Sequence, residues 1–135
     1  MNMRNNIRVA IISVVLCAWA YIILAPMPRL PIGMANGSYA NNCCGEMTLR
    51  DGKMSVGGRL VTYVIEVDKG GPYVLPNAYI DISGDHTLEV DTGKYPLIMR
   101  LDDPMRPTKL ELMTEEAVLT FRRILIVPSK PQPTP

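Results

Sequence analysis

Histidine occurs once in this chain, as His86, and tryptophan and phenylalanine also occur once each. Each scarcity excludes some chemistry. A hydrolytic centre needs a nucleophile, a base and an orienting group within reach of one another. With one imidazole, no Gly-x-Ser-x-Gly elbow, and Ser83 merely a turn residue close by, a serine dyad has no foundation. A thiol dyad of Cys43 or Cys44 with His86 is arithmetically available and nothing more. The formal net charge is +1 and no basic block stands ready to neutralise phosphates, so nucleic acid is not an expected partner. Helix-period patterning is absent after residue 25, and no sequence feature implies a cofactor.

What is present begins with an apolar run, Val9 to Ala25, preceded by Arg4 and Arg8. Its length sits at the short edge of the roughly 17 to 25 residues that a bilayer-spanning helix needs. Trp19 and Tyr21 fall near its far end, where amphipathic rings settle at membrane interfaces, and Pro26, Pro28 and Pro31 stop any helix beyond it. The basic residues before the run put the N-terminus in the cytoplasm and the rest outside, by the positive-inside rule. Residues 1–25 therefore read as an uncleaved anchor, with the membrane engaged through residues 9–25. Two alternatives compete with it. One is a cleaved secretory signal, for which Ala18-Trp19-Ala20, Gly33-Met34-Ala35 and Ser38-Tyr39-Ala40 offer small-x-small cut patterns. The other is a core helix. Either membrane reading exports the remainder, facing the periplasm from the inner membrane in a bacterial host, or secreted after cleavage.

Residues 26–42, rich in Pro, Asn and Gly, read as an extended linker, within which Asn36-Gly37-Ser38 matches the glycosylation acceptor pattern. Residues 43–127 read as one small β-domain. Met47 and Leu49 share a face, Asp51-Gly52 is a hairpin signal, and Met54 to Val56 returns the chain. Gly57-Gly58 breaks it. Arg59 to Asp68, apolar on both faces, is the strongest strand and belongs inside a sheet. Tyr73 to Ser83 follows, interrupted by Pro76, which marks an edge or a bulge. Thr87–Asp91, Pro96–Leu101, Lys109–Met113 and Ala117–Val127 complete the set, and residues 128–135 form a Pro-rich disordered tail with P-x-x-P spacing. Turns about every 8 to 12 residues predict an all-β fold. The expected form is a small antiparallel meander of about seven or eight strands, a half-open barrel or a sandwich, after one N-terminal helix. The runner-up is an α+β domain with a short helix near residues 113–120.

Cys43-Cys44 is the most unusual local feature. Three states stand open: one thiol packed as a small hydrophobe with the other free, a disulfide between two copies of the chain, or a vicinal disulfide. A thiol redox role goes with the last. The adjacency does not suit zinc, whose ligand pairs are normally separated by two to four residues. Asp81, Asp85, Glu89 and Asp91, beside the only histidine His86, gather carboxylate oxygens of a kind that suits a hard cation. Their spacing matches no calcium loop, however, and strand alternation turns Glu89 and Asp91 to solvent, so a solvated strand edge is the reading. Lys69-Gly70-Gly71 lacks the following Lys-Ser/Thr and helix of a phosphate cradle, and reads as a hairpin turn. Arg122-Arg123 reads as a solvated pair.

The expected function is a membrane-tethered or exported, non-enzymatic binding or structural protein of the cell envelope. It would meet a protein or envelope partner through sheet edges near Pro76 or at the final strand. Two alternatives remain: a small-molecule or lipid carrier with an apolar β-barrel cavity, and thiol redox chemistry at Cys43-Cys44.

Overall fold

A computed structural model describes residues 3–26 and 28–125 of the chain. Helix α1 (Met3–Leu24) takes up the apolar run and extends it backward to include Arg4 and Arg8. It is apolar all round, as a helix buried in a core or a bilayer is, yet none of its residues is buried against the rest of the chain. That removes the core-helix alternative and leaves a helix long and apolar enough to cross a membrane.

Ten strands follow: β1 (Gly37–Asn41), β2 (Gly45–Arg50), β3 (Lys53–Val56), β4 (Arg59–Asp68), β5 (Gly71–Pro76), β6 (Tyr79–Ile82), β7 (Leu88–Asp91), β8 (Met99–Leu101), β9 (Lys109–Met113) and β10 (Val118–Ile124). Eight of them close into an antiparallel barrel in the order β1-β10-β9-β8-β5-β4-β3-β2, and β6 pairs with β7 as a separate ribbon. The all-β expectation is met, with the barrel fully closed rather than half-open. The turn chemistry explains the register. Asp51 (φ 48°) with Gly52 (φ 84°), and Gly57 (φ 54°) with Gly58 (φ 72°), supply the paired positive φ angles of two-residue hairpins.

Alternation fills the interior. Met47 and Leu49 of β2, Val61, Tyr63 and Ile65 of β4, Leu110 and Leu112 of β9, and Phe121 of β10 are all buried. Cross-strand pairs such as Tyr39–Met47, Ile65–Val74, Val74–Met99 and Leu110–Phe121 place these side chains against one another. An eight-stranded barrel is just wide enough for its own side chains.

Three expectations change. The stretch 26–42 is not a free linker. Arg29 forms a β-bridge with Glu66, and the Leu30 N–H donates to the Ile65 carbonyl at 2.9 Å. Ile32–Ala35 make a 3-10 turn against the barrel mouth, and residues 37–41 are β1. The strand read across Pro76 is two strands in two sheets: β5 ends at Pro76, and the chain bends at residues 77–78 into β6. Proline has no N–H to continue a ladder. No helix forms near residues 113–120. Thr114 and Ala117 instead close the β9–β10 turn, the Thr114 N–H donating to the Ala117 carbonyl at 3.0 Å. Residues 126–127 of the expected last strand and the tail 128–135 lie outside the described residues.

Candidate functional site

The barrel has two chemically different rims. The distal rim carries the β1–β2 turn, the β3–β4 turn, the β6–β7 ribbon and the β9–β10 turn. The tether-side rim carries the 3-10 turn, the β2–β3 and β4–β5 turns, and the β8–β9 loop.

Cys43 and Cys44 lie in the β1–β2 turn of the distal rim, where Asn41 pairs with Gly45. Asn41 organises the turn: its Oδ1 accepts from the Cys43 N–H at 2.8 Å, and its Nδ2 donates to the Thr120 carbonyl of β10 at 2.8 Å. The two sulphurs are bonded to each other within the chain, with Cys44 buried and Cys43 exposed. This is the vicinal arrangement among the three states, and it leaves Cys17 as the free cysteine. His86 is not brought to the pair by any contact among the described residues; it sits exposed at φ 63° in the β6–β7 loop.

That loop uses the acidic cluster for its own geometry. Asp85 accepts from the hydroxyls of Ser83 and Thr87 and from the Thr87 N–H. These hydroxyl bonds, Ser83 first, hold its carboxyl below the usual carboxylate range. Asp81 accepts from the Tyr79 hydroxyl at 3.0 Å and from the Ile82 N–H at 2.8 Å. Asp91 caps Gly93 at 2.8 Å, and Glu89 points to solvent. Among the described residues no group of three or more such ligands converges on a metal position.

No family model, curated protein or solved structure matches this chain. Its chemistry is therefore read from its own side chains.

On the tether-side rim, the Asp68 carboxylate takes a bidentate contact from Arg100, at 2.5 and 2.7 Å, and caps the Gly70 N–H at 2.7 Å. The Arg100 bonds hold the Asp68 carboxyl below its ordinary value. Arg100 also lies 5.2 Å from the Tyr73 ring centre, and the Tyr73 hydroxyl donates to Glu66 at 2.8 Å. Lys69-Gly70-Gly71 is thus a capped hairpin turn. Arg122 and Arg123 part company. Arg122 is exposed, whereas Arg123 shares its face with Tyr39 and closes the barrel mouth, donating to the carbonyls of Asn36 at 2.6 Å and Pro107 at 3.1 Å. The Asn36 side chain exchanges two 2.8 Å bonds with Asp51, so this amide already holds the rim together.

Closure also alters the expected docking edges. The final strand β10 is paired with β9 on one side and β1 on the other, so it offers no edge. Near Pro76, β5 pairs with β8 only through Tyr73 and Val74, which leaves a short unpaired stretch. Five outward-opening clefts lie on the described surface, and the fully buried core side chains line none of these five. Sequence reading saw Asp51-Gly52 and Lys69-Gly70-Gly71 only as separate turns and did not bring them onto one rim with the β8–β9 loop. Its one local signal is Asp103-Pro104-Met105-Arg106-Pro107, an apolar and a basic residue displayed between two prolines.

Proposed function

We propose that this protein is a membrane-tethered, non-enzymatic binding domain, anchored by α1 and presenting the distal rim of its barrel to a protein partner of the envelope. One observation carries the reading. An unburied apolar helix of 22 residues is joined by only residues 25–28 to a barrel whose interior is filled by its own side chains. Arg4 and Arg8 in the first turns of the helix, ahead of its apolar run, favour a cytoplasmic N-terminus and an exported barrel.

The distal rim has a recognisable character. Glu115 and Glu116 of the β9–β10 turn line a cleft with Tyr79 and Asp81 of β6, and Val118 is exposed close by. An acidic rim with exposed apolar residues suits a partner surface carrying Lys or Arg around an apolar patch. The experiment is protease protection combined with site-specific photocrosslinking in intact cells. The barrel should resist carbonate extraction, be digested only from outside, and give one defined adduct from position 116 and none from position 50. A barrel digested only from the cytosolic side overturns the reading.

A second reading, thiol redox chemistry at Cys43-Cys44, rests on the exposure of Cys43 in a closed pair. Unchanged partner crosslinking in a Cys43→Ser, Cys44→Ser variant sets it aside.

A further inference from the structure

We propose that the tether-side rim is itself a membrane-binding surface, seated on the anionic phospholipid headgroups of the bilayer that α1 enters; this rests on the tethered reading above. Chain length is the first argument. Residues 25–28 alone separate Leu24 from Arg29, whose backbone bridges to Glu66. At about 3.3–3.6 Å per extended residue, the end of α1 stays within about 18 Å of that point on β4. Arg29 and Leu30 run antiparallel to β4, so the chain leaves the barrel past Asp68 and Lys69. The headgroup layer where α1 ends therefore lies at the β4–β5 turn, and the distal rim lies at the other end of the ten-residue strand β4.

Exposed chemistry on the same rim is the second argument. Met105 in the β8–β9 loop and Leu125 after β10 are each 82% exposed, presenting two large apolar side chains outward on this rim. The Met105 loop is preset: Asp103 accepts the N–H groups of Met105 at 2.6 Å and Arg106 at 3.0 Å. An outward cleft lined by Arg106, Arg123, Ile124 and Leu125 lies between this loop and the end of β10.

Charge is the third. Lys69 and Arg106 are exposed and make no ion pair among the described residues, whereas Asp68 is neutralised by Arg100. Asp102 and Asp103, exposed and charged, turn their carboxylates back onto amides of their own loop, and Asp51 on the same rim is held by Asn36. Two outward cations beside two outward apolar side chains fit an interface of phosphates over acyl chains.

The test uses the full chain in vesicles of phosphatidylcholine and phosphatidylglycerol in equal parts, with Trp19→Phe to remove the native indole. A Trp reporter is placed at Met105→Trp or, as a control on the distal rim, at Leu60→Trp, where the native side chain is 67% exposed. The reporter at 105 should shift its emission to the blue and be quenched by brominated lipid, while the reporter at 60 should not. Adding Lys69→Glu and Arg106→Glu should lower the headgroup-seated population at least roughly fivefold per charge, with flotation of the chain unchanged. Equal quenching at 105 and 60 in vesicles that carry the chain overturns the proposal alone, as does undiminished quenching in the charge-reversed variant. A chain that fails to float with the vesicles overturns the tethered reading beneath it.

Discussion

The two mouths of the barrel are closed by different means. The tether-side mouth is stopped by the chain's own entry segment and by polar bridges. Ala35 is buried there, the Tyr39 hydroxyl donates to the Ala35 carbonyl at 3.0 Å, and Arg123 bridges Asn36 and Pro107. The distal mouth is stopped by an inserted ribbon, β6–β7, whose Ile80 and Leu88 join the barrel core. Its fit is close: a Cβ placed on Gly57 would lie 2.3 Å from the Leu88 carbonyl oxygen. One mouth thus depends on directional hydrogen bonds, the other on apolar burial. The contrast teaches where each surface is free to vary, because directional bonds fail when one partner goes and apolar packing fails with lost volume.

The largest effect that would sharpen this contrast is expected at the distal mouth. Ile80→Ala removes a fully buried side chain and should cost about 2–5 kcal/mol in urea unfolding. A change below 0.5 kcal/mol, about the scale of an ordinary surface substitution, would show that the ribbon is not part of the core. Next comes Arg123→Met, which keeps much of the stem and removes the donors. Stranding the Asn36 and Pro107 carbonyls should cost about 1–3 kcal/mol, with hydrogen exchange rising first in residues 32–41. Exchange rising instead around β6 and β7 would break the assignment of separate mouths. Tyr39→Phe should cost only about 1 kcal/mol, since a single hydroxyl bond is lost while the ring stays buried.

The smallest effect concerns pH. Asp68 on the tether side and Asp85 on the distal side both titrate below the ordinary 3.8, the first through Arg100 and the second through Ser83. A carboxyl lowered in the folded state contributes stability that is present above its unfolded value and is lost as pH falls through the folded one. Unfolding free energy should therefore decline from about pH 3.8 downward. Asp68→Asn and Asp85→Asn should each flatten that decline slightly, and a steeper decline in either variant would contradict the sign.

Much of the fold was legible along the chain. Met47 and Leu49 alternate with Glu46, Thr48 and Arg50, and two dipeptides with the right turn chemistry mark the β2–β3 and β3–β4 hairpins. Less of the rest was legible. β1 shows a single large apolar residue, Tyr39, in a small and polar context, and becomes a strand because β2 and β10 flank it. Leu97 sits before β8 rather than in it, so the expected strand from Pro96 shortened to Met99–Leu101. Of the candidate site, the Cys43-Cys44 adjacency was plain, but the tether-side rim was not. Lys69, Arg106 and Leu125 come from three separate turns or strand ends.

Sequence alone determined what short-range chemistry can encode: one long apolar helix, pleated segments with one greasy face, and glycine turns that reverse them. Tertiary structure alone decided that the sheet closes, that the supposed linker becomes wall and stopper, and which loops share a rim. The physical reason is distance along the chain. Ser38 meets Ile124 and Arg29 meets Glu66 only when the whole barrel forms, and pairing between such remote residues leaves little trace in the local pattern of either one.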